Sequence, residues 1–154
     1  MVSVQPKTVV TLAMAGTCPS HSRTDVSIRD LVLSLDEPLE RGGTNVGPSP
    51  TETMIGALVA CTNVVGHRVA ESAGITIKEM AIKAEAQFDR RGVTMQNEVQ
   101  VPFPEIILSI DLTADADDAA VEALRGGLAK YCPVSRVLRA AGSKVVTNWN
   151  VTRP

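Results

Sequence analysis

The chain has 154 residues, 44% apolar and 21% charged, enough to bury one hydrophobic core, so a single domain over 1–154 is expected. A formal charge of -2, with Lys and Arg scattered, leaves no electrostatic footprint for nucleic acid. The longest apolar run, 54–60, is far short of the roughly 20 residues that cross a bilayer.

Residues 7–15 (KTVVTLAMA) are apolar and β-branched and read as a first strand rather than a leader, because the stretch is short and interrupted by Thr11. GTCPSHSR then marks a turn, and 24–36 (TDVSIRDLVLSLD) is a second strand, which together make an N-terminal hairpin. Three glycines and two prolines make 37–48 a loop. The next helix has a clear start. Ser49 is placed to act as N-cap, Pro50 fits the first helical position and Glu52 completes an S-x-x-E capping box. Met54, Leu58, Cys61, Val65 and Val69 recur at helical spacing, Ile55, Val59 and Thr62 widen the stripe, and Gly74 ends the helix after Ser72.

Lys, Glu and Ala in 76–89 favour helix, but their polar and apolar residues alternate with period two, which predicts a strand solvated on one face. A loop follows over 90–104, then a strand over 105–115. Asp117 and Asp118 open a second helix through Tyr131, with Val121, Leu124, Leu128 and Tyr131 on one side. Pro133 starts a third helix over 133–141, Gly142 closes it, and 143–153 is a last strand. The order predicts an α+β fold with mainly antiparallel pairing.

Three cysteines, at 18, 61 and 132, form no secreted disulfide framework and no CxxC. With His21 and His67 at unrelated spacings they give no metal site, no motif calls for a cofactor, and a cytoplasmic protein with one or two working thiols is expected. Taken alone, Cys61 fits core packing as well as chemistry, since free cysteine is among the most buried residue types. Cys132 precedes Pro133 at a helix N-terminus, with Arg136 one turn on, and by local physics is the better activated of the two. A reactive thiol needs a cation. The candidates before Cys61 are Arg41 in the Gly-rich loop and Arg23 and Arg29 on the hairpin. Glu52 can orient such an arginine but lies about 13 Å along the helix from Cys61.

GGTNVGPSPTETMIGALVAC together with YCPVSRVL resembles the OsmC/Ohr family of osmotically inducible and organic hydroperoxide resistance proteins. The resemblance spans the chain and is strongest over 36–73 and 128–151. It implies an OsmC-like fold in which antiparallel sheets and a long buried central helix build an intertwined homodimer. It also implies that Cys61 attacks an organic hydroperoxide, with hydrogen peroxide as a second candidate substrate; that Cys132 resolves the sulfenic acid into a disulfide; and that a dithiol reductant, often lipoyl-linked, restores the pair. Arg41 matches the arginine spacing of the OsmC branch, and Arg23 that of the Ohr branch. Glu52 corresponds loosely to the family's carboxylate, because Thr51 stands where the peroxidase branches carry Glu directly after Pro. From another class, a non-catalytic protein holding a small apolar ligand at a dimer interface, or sensing redox state through its cysteines, also fits these residues.

Overall fold

A computed structural model describes residues 8–154, and in it the chain forms two compact units, Met1–Thr53 and Met54–Pro154. In the first, β1 (Ala15–Thr17), β2 (Thr24–Ile28) and β3 (Leu31–Leu35) form an antiparallel sheet in that order. The hairpin therefore lies elsewhere than expected. Residues 24–36 are not one strand but two, folded back at Arg29 and Asp30, with Arg29 at φ 57° and Ser27 opposite Val32. Residues 8–14 form no strand, and Lys7 of that expected strand lies outside the described residues. Val9, Val10, Leu12 and Met14 are exposed. Thr8, Val9, Val10 and Thr11 are β-branched and favour strand, but a strand also needs a neighbour to bond its backbone, and none pairs with this stretch among the described residues.

The loop after β3 is closed by one buried carboxylate. Asp36, 0% exposed, accepts from the backbone N–H of Glu37 at 2.9 Å and Thr44 at 2.8 Å and from the Thr44 hydroxyl at 2.6 Å. Those bonds fix a short 3-10 turn, Leu39–Arg41, at the tip.

Helix α1 (Pro50–Ser72) begins as the capping box requires: the Ser49 N–H donates to Glu52 Oε2 at 2.8 Å, and the Glu52 N–H to Ser49 Oγ at 3.4 Å. It ends in a Schellman motif, with the Ile75 N–H donating to Ala70 O and the Gly74 N–H to Glu71 O, and Gly74 supplies the left-handed residue at φ 69°. Leu58, Thr62, Gly66 and Ala70, four residues apart, are buried, while Met54 and Val64 stay exposed.

In the second unit, β4 (Thr76–Ala86), β5 (Glu105–Asp115) and β6 (Lys144–Thr152) form a sheet with β5 central. β4 pairs antiparallel and β6 parallel to β5. Alternate residues of β5, Ile106, Leu108, Ile110, Leu112 and Ala114, are all buried, as period two requires of a strand with one face on the core. Helix α2 (Asp118–Tyr131) is capped by Asp117, whose carboxylate accepts from the Ala120 N–H at 2.8 Å. It buries Val121, Leu124 and Leu128, but Tyr131, expected on the same side, is exposed because the chain turns into α3 (Pro133–Ala140) at that point. A Cβ on Gly127 would come within 2.4 Å of Val69 Cγ1, so the missing side chain allows α2 to approach α1 closely. The architecture is thus α+β, with two three-stranded sheets and three helices among the described residues.

Candidate functional site

Cys132 ends α2 and starts α3, where Pro133 at the first helical position breaks the ladder and fixes the entry. Cys61 lies on α1 one residue before buried Thr62. Packing α1 against the sheet and α2 brings the two thiols together: Cys132 Sγ donates to Cys61 Sγ at 3.2 Å. That separation is longer than a disulfide bond, about 2.05 Å, and requires only a small approach to become one. Leu58, Ile106, Leu108, Ile110, Leu138 and Val145 are the buried core around the pair.

Burial divides the two thiols. Cys132 is 1% exposed and Cys61 is half-buried. Burial pushes the Cys132 thiol above its ordinary value, and the neighbouring Cys61 sulfur raises it further; the Ser135 and Val134 backbone N–H groups at the start of α3 pull the other way but do not prevail. The local expectation that Cys132 is the better activated thiol is therefore corrected. The helix N-terminus is present, but so is the dry core, and desolvation is the larger effect. Arg136 is exposed, its Nη1 donates to Lys130 O at 3.2 Å, and it is not among the groups that shift Cys132.

The other expected residues lie in the first unit. Arg23 is held bidentately by Asp25, Nε to Oδ1 at 3.1 Å and Nη2 to Oδ2 at 3.0 Å, and the Ser34 hydroxyl also donates to Asp25 at 2.6 Å. Two parallel bonds occupy that guanidinium. Arg41 instead pairs through Nε with Glu37 Oε2 at 2.7 Å. Glu52 is held below the usual carboxylate range first by the Ser49 backbone N–H and hydroxyl and then by the charge of Arg41, so the carboxylate and the arginine interact. The structure thus brings together Cys61 with Cys132, whereas Arg41 bonds to Glu37 and reaches Glu52 only through its charge. Asp36, which anchors the Arg41 loop, was missed by sequence reasoning, and its one visible signal is an acid ending a strand before a Gly-rich loop.

Among the described residues no three His, Cys, Asp or Glu converge on a point that would hold a metal ion, and no helix is long and apolar enough to cross a membrane.

A family model described as OsmC-like protein matches residues 42–148. No protein of curated function matches the chain. Among solved structures it is similar to an OsmC-like protein from Mycoplasma pneumoniae, at a TM-score of 0.73 and 17% identity over 94% of this chain and 97% of that one. It is also similar to an organic hydroperoxide resistance protein from Legionella pneumophila (TM-score 0.66, 19% identity, 95% and 99% covered) and another from Elizabethkingia anophelis (0.65, 18%, 97% and 100%). Identities this low carry the fold.

Proposed function

Because the chain belongs to the OsmC-like family, we propose that it is a cysteine-based peroxidase that reduces organic hydroperoxides, acting as a homodimer in the reducing cytoplasm. The observation that carries this reading is the 3.2 Å contact between a half-buried Cys61 and a fully buried Cys132 whose thiol burial keeps protonated. Such a pair has a division of labour built in, since the more accessible sulfur meets the substrate and the enclosed one waits. The neighbours that are organic hydroperoxide resistance proteins support the choice of substrate.

Cys61 thiolate attacks the distal oxygen of ROOH; the O–O bond breaks, ROH leaves after protonation, and Cys61 becomes a sulfenic acid. Cys132 then attacks that sulfur, its proton and the sulfenic hydroxyl leave as water, and an S–S bond joins the two residues. A dithiol reductant, such as a lipoyl group, exchanges with the bridge and leaves as its own disulfide. Arg41 is the favoured cation for the Cys61 thiolate, from its own or the partner chain. One nitrogen is engaged with Glu37, whereas both donor edges of Arg23 are spent on Asp25. Glu52 orients Arg41 while it caps α1.

Consumption of cumene hydroperoxide under a dithiol reductant tests this. Wild type is expected to turn over, Cys61→Ser to lose activity, and Cys132→Ser to react once and stop. No peroxide loss by wild type with lipoyl or other dithiol reductants would leave the non-catalytic binding or redox-sensing reading in its place.

A further inference from the structure

Beside Cys132 lies a pocket of about 40 Å³ that the peroxidase reading does not use. Its polar wall is Thr62 from α1, Arg125 from α2, Ser135 and Arg139 from α3, and Thr147 and Trp149 from β6. Two buried donors in that wall, Arg125 Nε and Trp149 Nε1, have no acceptor among the described residues. The outer end of Arg125 is already engaged, because Nη1 donates to Glu122 Oε1 at 2.5 Å while the guanidinium lies over the Trp149 ring, 5.8 Å from its centroid. Arg139 is likewise tied down, with Nε donating to Ser135 Oγ at 3.3 Å and Nη2 to the Val145 carbonyl. No Asp or Glu faces the pocket.

A wall of two guanidinium groups, an indole N–H and the Ser135 and Thr147 hydroxyls, without a carboxylate, offers donors and positive charge to its occupant, while the Thr62 hydroxyl is spent on Leu58 O. Buried donors without acceptors are costly, so an acceptor belongs here, and the space suits about three waters or one halide-sized ion. Glu122 offsets the charge of Arg125, so the net positive charge of this partly enclosed site comes from Arg139, and it favours the ion over water. We propose that this pocket binds a monovalent anion of halide size, which accepts from Arg125 Nε and Trp149 Nε1. Such a charge beside Cys132 disfavours its thiolate and slows closure of the bridge to Cys61. That consequence rests on the peroxidase reading; the binding does not.

Trp149 is the only tryptophan of the chain, so its emission reports the pocket without any turnover. The full-length reduced protein is titrated with sodium bromide at constant ionic strength, with gluconate as the balancing anion. Saturable quenching in wild type, displaced by chloride and roughly tenfold weaker in Arg125→Gln, is the expected result. Linear quenching of equal slope in both proteins means that water fills the pocket and overturns the proposal. Saturation that Arg125→Gln leaves unchanged overturns it too, since the ion then sits elsewhere. Should Arg125→Gln fail to fold, wild-type crystals soaked in bromide decide: an anomalous peak within hydrogen-bond reach of Trp149 Nε1 supports the site, and its absence overturns it.

Discussion

Cys132 shows how little a residue's neighbours in sequence say about its chemistry. CPVSR places a thiol at a helix N-terminus, and the structure keeps that geometry, yet the core around it decides the protonation state. Two outcomes follow at this scale. Iodoacetamide at neutral pH should alkylate Cys61 and exposed Cys18 well before Cys132, as peptide mass mapping will read, because Cys132 is both 1% exposed and protonated. The second concerns pH. The folded thiol of Cys132 titrates above 9.0, the value of an unperturbed thiol, so its contribution to stability is complete below that pH and is lost as pH rises through and beyond it. Thermal unfolding of the reduced protein should therefore fall more steeply above pH 9.0 in wild type than in Cys132→Ser, and equal slopes would count against a raised Cys132.

Among the elements, α1 was the most legible, because capping and termination are local. Ser49, Glu52 and Gly74 each act within a few residues, and each does in the structure what its position implies. The choice of strand for 76–89 also held in type, with β4 ending at Ala86, since alternation outlasted the helical propensity of Lys, Glu and Ala. The N-terminal strands were misplaced for a physical reason: IRDL carries no Gly or Asn to announce a turn, and Arg29 adopts a positive φ that its residue type does not advertise. Gly127 was invisible as well, because its partner Val69 is distant in sequence. Replacing it should be instructive. Gly127→Ala drives a Cβ into Val69 and should cost about 1–3 kcal/mol in denaturant unfolding, despite the better helix propensity of Ala. Val69→Ala in the same chain should recover part of that loss.

At the scale of the whole molecule, the single chain leaves much apolar surface unpartnered. Val9, Val10, Leu12 and Met14, Leu31 and Val32 on β3, and Met54 and Val64 on α1 are all exposed, more than isolated surface residues require. A second copy of the chain is the proposed cover. Light scattering at micromolar concentration should then give about twice the chain mass of 16.3 kDa, and Val64→Glu should shift it toward that of one chain. A monomer at all concentrations would remove the partner-chain route for Arg41.

The sequence by itself determined the α+β class, the long capped helix, the strand type of β4 and β5 and, through two separated motifs, the family, because caps, periodicity and fixed motifs are read within a few residues of one another. Tertiary structure alone decided that the Cys61 and Cys132 sulfurs lie 3.2 Å apart, that burial prevails over the helix N-terminus at Cys132, and that Arg125 and Trp149 present unpartnered donors beside it. Distance and desolvation depend on which surfaces the packed elements bring together, and neither is written in local order along the chain.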